Sequence, residues 1–185
     1  RNMTQKSHST PLANSYWVLP GHLLAGEYPG SPYQEESRRK LGQFLDHGVD
    51  AFLDLTQKGE LMPYAEILDE LAAAKGAEIA YRRMPVRDMG VPTRRQIAEI
   101  IGQIESWIGD GRTVYVHCWG GIGRTGTVVG CFLAHRGRKG DDALAHLATL
   151  WQGVSEDKRR RYPVSPQTPA QLDFVRNWIP QTGNP

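Results

Sequence analysis

The stretch TVYVHCWGGIGRTG, residues 113–126, decides how this chain is read. Thr113 to His117 is a run of β-branched and aromatic residues, the composition of a central strand. Gly120, Gly121 and Gly123 follow, and a helical pattern runs from Arg124 to about His135. A strand is therefore expected to enter a Gly-rich loop, and the loop to enter a helix. In α/β sheets, ligands bind at the carboxyl ends of strands, where such loops lie. The glycines let the backbone turn with its N–H groups facing inward. Inward amides at a helix N-terminus form an anion site suited to phosphate. The same field favours the thiolate of Cys118, the nucleophilic form of a cysteine. Arg124 can return across the loop and grip two oxygens of one phosphoryl group. Thr125 is expected to place its hydroxyl near the Cys118 sulfur. Trp119, Gly120, Gly121, Ile122 and Gly123 then make the cradle, with nucleophile and clamp at its two ends.

Working outward, strands and helices alternate. Tyr16–Leu19 and His22–Ala25 flank the turn pair Pro20-Gly21 and predict a hairpin. Asp50–Thr56 is a buried-type strand. Leu61, Tyr64, Ala65, Leu68, Leu71 and Ala72 follow at helical spacing, and Gly76 ends that helix. Glu78–Val86 is the next strand. Thr93 with Gln96 is a capping box, followed by a stripe of Ile97, Ile100, Ile101, Ile104, Trp107 and Ile108. A further stripe is Leu144, Leu147, Ala148 and Trp151. Thr168-Pro169-Ala170-Gln171 opens the last helix as a capping box with Pro at its first position. This order predicts a single α/β domain with a central, mostly parallel sheet flanked by helices. The hairpin adds antiparallel strands at an edge. The domain is expected over residues 14–180, with a flexible N-terminal segment at 1–13 and a tail at 181–185.

Composition narrows the function. The chain has 185 residues, the size of one ordinary domain. Its formal net charge of +2 argues against bulk nucleic acid as the main partner. Two cysteines, Cys118 and Cys131, cannot build a disulfide framework or a Cys-rich zinc site. The six histidines are scattered without ligand spacing, so no metal is expected. No apolar run is long enough to span a membrane, and the polar start, Arg1 to Leu12, lacks a signal core. A cytoplasmic monomer is expected. The start at Arg rather than Met suggests a domain cut from a longer protein, or a tag remnant.

The segment His117 to Gly126 resembles the signature of the Cys-based protein tyrosine phosphatase superfamily, and the short length resembles its dual-specificity branch. The resemblance extends from about Tyr16 to Ile179. It implies a Cys-dependent phosphomonoester hydrolase that works through a phospho-cysteine intermediate and needs no cofactor. Family members carry a general acid on a loop about thirty residues before the nucleophile. Asp88 stands there, in Met84–Pro92, and this order separates the chain from the low-molecular-weight phosphatases. Larger tyrosine phosphatases use a Gln-Thr-x-x-Gln loop to position water, and Gln167 and Gln171 match its two glutamines. Gln171 has an equal claim as the capping partner of Thr168, so Gln167 is the catalytic candidate. The substrate is expected to be a phosphorylated protein at a shallow, dual-specificity-like site. An inositol phosphate or phosphoinositide is the nearest alternative, although such enzymes often carry lysines inside the loop and residues 119–123 have none. A phosphate-binding module without activity is the remaining alternative.

Other residues have ordinary readings. Cys131 lies roughly 10 Å along the helix from Arg124 and is read as core. His117 is expected to order the loop rather than act as a base, and Trp119 either to pack beneath the loop or to line its mouth. Asp54 is read as a loop-structuring residue. Glu60 and Tyr64 could form a wall of the pocket, and Asp54 and Glu60 are the reserve acids if Asp88 is not one. Lys158 to Arg161 is read as a solvated loop, or else as a rim that attracts an anionic substrate.

Overall fold

The computed structural model describes residues 8–180, so the segments 1–7 and 181–185 lie outside it. Five strands form one sheet: β1 (Ser15–Leu19), β2 (Leu23–Gly26), β3 (Ala51–Asp54), β4 (Ala80–Arg83) and β5 (Val114–His117). Their order is β1-β2-β5-β3-β4, and only the β1–β2 pairing is antiparallel. The hairpin thus supplies one antiparallel edge strand, while β2 runs parallel to the central β5.

Strand periodicity sorts the side chains into two cores. Leu23, Ala25, Ala51, Leu53, Val114 and Val116 point to one face. Leu24, Phe52 and Tyr115 point to the other. The first face is covered by α3 (Arg94–Gly109), α4 (Gly123–His135), α5 (Asp141–Trp151) and α7 (Pro169–Arg176). The second is covered by α1 (Gln34–Asp46) and α2 (Ala65–Lys75). Burial on both faces explains why the inner strands β2, β5 and β3 are mostly apolar, whereas the edge strand β4 carries Arg82 and Arg83.

The capping boxes at Thr93 and Thr168 form as expected, each with both reciprocal bonds. Other expectations need correction. Helix α1 has no counterpart in the sequence reading: its buried residues Ser37, Leu41 and Phe44 recur at helical spacing, but the stripe is short and opens on a polar residue. Leu61 lies before the helix it was read into, because α2 begins at Ala65, after Pro63 and a turn. Residues 78–86 contain a regular strand only at Ala80–Arg83. The Met84 and Val86 N–H groups still donate to Asp54 and Leu55 carbonyls at 2.9 Å, so the extended chain continues past a proline that cannot donate. On α5 the buried stripe is Ala143, Leu147 and Trp151, with Ala148 exposed. Residues 158–161 are not a loop. They lie on α6 (Glu156–Arg161), capped by Ser155, whose hydroxyl accepts the Lys158 N–H. The Ser155 hydroxyl also reaches Asn14 at 2.8 Å, and the Trp151 indole donates to the Tyr162 carbonyl at 2.9 Å, so both ends of α6 are anchored.

Candidate active site

The parallel strands β3, β4 and β5 end on one side of the sheet, and the three loops that leave them converge there. The loop after β5 carries Cys118 and the cradle. The loop after β3 carries Glu60, and the loop after β4 carries Asp88. This is the crevice that the topology of an α/β sheet offers to a ligand.

The loop is held from outside. The Tyr28 N–H donates to the Trp119 carbonyl at 2.9 Å, and the Ser165 hydroxyl to the Ile122 carbonyl at 2.8 Å. Cys118 is 3% exposed, and its sulfur accepts the Gly121 N–H at 3.3 Å. No side chain caps α4, so its first N–H groups remain available at the loop. Gly121 has φ +72°, and a Cβ there would approach the Gly26 oxygen to 2.6 Å and the Glu27 nitrogen to 2.7 Å. Both are backbone atoms that cannot swing aside. Gly121→Ala is therefore expected to cost about 2 kcal/mol of stability or more, and to displace the N–H that meets the sulfur. Urea unfolding would measure the first effect and kcat the second; a variant unchanged in both would show that the loop tolerates another path.

Arg124 is buried, and Glu60 and the Val86 carbonyl hold one side of its guanidinium. Nη1 donates to Glu60 Oε2 at 2.9 Å and to the Val86 carbonyl at 3.1 Å, and Nη2 to Glu60 Oε1 at 2.6 Å. This two-pronged pair fixes the plane of the guanidinium. The Arg124 hydrogen bonds hold the Glu60 carboxyl below the usual carboxylate range. Glu60 is itself pinned by the Gln57 N–H at 2.9 Å. The sequence reading allowed Glu60 only as a pocket wall or a reserve acid. With both oxygens on Arg124 it is neither. Asp88 Oδ1 lies 3.2 Å from Arg124 Nη2, and the Asp88 side chain is 55% exposed. The carboxyl thus stands at the mouth, on the loop where an acid was expected.

Beneath the loop, the buried His117 is committed on both sides. Its Nδ1 is 3.1 Å from the Cys118 carbonyl, which can only accept, so Nδ1 carries the proton. Nε2 then accepts from the Tyr64 hydroxyl at 2.6 Å. Burial pushes the imidazole below its ordinary value. His117 orders the loop, as its position suggested, and Tyr64 holds His117 instead of forming a wall. Asp54 is buried and accepts from the Thr56 N–H and hydroxyl and from the Tyr81 hydroxyl, which removes it as a reserve acid. Cys131 is core, and burial raises its thiol pKa.

A cavity of about 610 Å³ opens over the loop. Cys118, Trp119, Gly120, Ile122, Gly123 and Arg124 line it together with Asp88 and Gln167. Of the two places open to Trp119 it takes the mouth, 59% exposed, because the core beneath the loop is already filled by Tyr28, Tyr64 and His117. The Thr125 hydroxyl is buried and has no hydrogen-bond partner among the described residues. Gln171 is buried away from the cavity, accepting the Gln167 and Thr168 N–H groups and donating to the Gly90 carbonyl at 3.3 Å. It ties the Asp88 loop to the start of α7, which leaves Gln167 as the glutamine that faces the cavity. Among the described residues, no group of three acidic, His or Cys side chains is placed to hold a metal.

The chain is similar to known proteins. The Arabidopsis thaliana "Phosphatidylinositol 3,4,5-trisphosphate 3-phosphatase and protein-tyrosine-phosphatase PTEN1" is 27% identical over 172 residues, covering 88% of this chain and 40% of that protein. The Mus musculus "Protein tyrosine phosphatase domain-containing protein 1" is 28% identical over 172 residues, covering 89% of this chain and 21% of that protein. The chain thus spans less than half the length of either relative. The structure titled "Crystal structure of Tk-PTP in the active form" superposes with a TM-score of 0.61 at 22% identity, covering 90% of this chain and 98% of that one. That likeness shows a shared fold. Residues 30–138 match the family described as "Tc-R-P: Polymorphic toxin system, DSP-PTPase phosphatase", a span that contains Glu60, Asp88, Cys118 and Arg124. The chain belongs to this family of dual-specificity-type phosphatases, within the Cys-based protein tyrosine phosphatase superfamily.

Proposed function

We propose that this chain hydrolyses protein phosphomonoesters through a phospho-cysteine, in the reducing environment of the cytoplasm that two free cysteines suit. The observation that carries the reading is the meeting of three groups in one cavity. The Cys118 sulfur lies under the Gly121 amide, Arg124 is locked by Glu60, and the Asp88 carboxyl is 3.2 Å from the guanidinium.

The chemistry follows from these groups. The Cys118 thiolate attacks phosphorus in line with the ester oxygen. A P–S bond forms as the P–O bond breaks, and Asp88 gives its proton to the leaving oxygen. Arg124 and the loop amides stabilise the charge on the three equatorial oxygens. In the second step, water attacks the phospho-cysteine, Asp88 takes the water's proton, and the P–S bond breaks to release phosphate. Gln167 orients that water. Thr125, whose hydroxyl is unpartnered, donates to the sulfur as it leaves.

The relatives include a phosphoinositide phosphatase, but the loop interior here, residues 119–123, carries no cation. That favours the protein substrate. Turnover of a chromogenic aryl phosphate tests the reading directly; no turnover would reduce the chain to a phosphate-binding module. In the same assay Arg124→Lys is expected to lower kcat/KM at least about a hundredfold, because a single ammonium cannot hold both Glu60 and two phosphoryl oxygens. A near-normal value would mean that charge alone suffices.

A further inference from the structure

We propose that Lys158 and Arg161 of α6 form a second anion subsite beside the phosphate loop, and that the substrate is a phosphorylated peptide segment with an acidic group flanking the phosphoresidue. This rests on the phosphatase reading above and adds to it the class of substrate.

The four consecutive cations of residues 158–161 are separated by the helix. Residues three apart share a face, whereas neighbours do not. Arg159 donates to the Val154 carbonyl and to Gln152, and Arg160 pairs with Glu156. Lys158 and Arg161 instead line the cavity that contains Cys118 and Arg124. The Lys158 side chain is only 14% exposed, and its ammonium is steadied by Glu27 at 3.4 Å. Nζ lies 3.8 Å from the point that a Cβ on Gly120 would occupy, so it stands directly over the cradle. Arg161 pairs with no carboxylate among the described residues. Helix α6 therefore brings to the rim of the cavity one cation already paired with Glu27, Lys158, and one without a carboxylate partner, Arg161.

The surroundings select a peptide over a polyphosphorylated ring. Glu27 and Asp157 line the same cavity, so the local field accepts one extra anion and repels a cluster of them. The groove also continues. A second cavity of about 340 Å³ shares Glu27, Trp119, Gly120 and Lys158 with the first, and extends to Leu61 and Met62. Met62 is 58% exposed there. An extended chain can place its phosphate at Cys118, an acidic side chain at Lys158 and Arg161, and an apolar side chain against Trp119 and Met62.

The test compares kcat/KM for two phosphotyrosine peptides, one flanked by glutamates and one by alanines, beside an aryl monophosphate and an inositol bisphosphate. The acidic peptide is expected to be preferred over the alanine peptide by about tenfold at low salt, and less as salt rises. Arg161→Gln and Lys158→Met should each cut that ratio to below about threefold. Arg160→Gln, on the outward side, should leave it unchanged. The ratio compares two substrates of one variant, so a partly misfolded preparation does not distort it. Equal values for the two peptides in the wild type, a ratio that survives in both variants, or a preference for the inositol bisphosphate would each overturn the proposal. Loss of aryl phosphate turnover in the wild type would instead overturn the phosphatase reading beneath it.

Discussion

Cys118→Ser is expected to reduce turnover to below about a thousandth of the wild-type value while leaving inorganic phosphate bound at comparable affinity. The two halves of this result have separate causes. A serine hydroxyl at this position has no neighbouring base: His117 carries its proton on Nδ1 toward the Cys118 carbonyl and spends Nε2 on Tyr64. The alkoxide therefore does not form. The cradle, by contrast, is backbone and Arg124, and neither changes with the substitution. Single-turnover hydrolysis of an aryl phosphate and calorimetry with phosphate would read the two effects. Activity above about a hundredth would remove Cys118 as the nucleophile.

Asp88→Asn should show a loss that depends on the leaving group. An amide cannot donate a proton in its place, so the cost rises with how much the departing oxygen needs one. A phosphotyrosine peptide should lose roughly 10² to 10⁴ in kcat/KM, and an activated aryl phosphate much less. Equal losses on both substrates would make Asp88 a structural loop residue. The structure leaves no nearby substitute, since Glu60 is spent on Arg124 and Asp54 is buried under Thr56 and Tyr81. Both results bear on how the site is assembled. The nucleophile depends on a loop that backbone bonds shape, whereas the acid depends on how far the loop after β4 reaches toward Arg124.

Much of this arrangement is legible in the chain itself, and the reason is locality. β-Branched Thr113–His117, the glycines after it and the helical run from Arg124 specify a strand, a loop and a helix through backbone preferences alone. The Cys118–Arg124 spacing then places sulfur and guanidinium on one loop wherever that unit sits. The two capping boxes are equally local, each closed within four residues. Even the split of each strand between two cores follows from the alternation of side chains.

The remainder depended on which distant segments meet. Glu60 reaches Arg124 across 64 residues because β3 pairs in parallel with β5, and nothing around Glu60 announces a guanidinium. Trp119 is at the mouth because Tyr28, Tyr64 and His117 already occupy the space beneath. Helix α1 packs Leu41 and Phe44 against Phe52 and Tyr115 of a sheet assembled from other parts of the chain, and that packing gives its short stripe a core to face. The run at 158–161 shows its charge in the sequence but not its aim. Helical geometry and the anchoring of α6 by Asn14 and Trp151 turn Lys158 and Arg161 toward the cavity and leave Arg159 and Arg160 outside. Short-range backbone preference therefore set the chemistry this chain carries, and long-range packing decided which charges surround it.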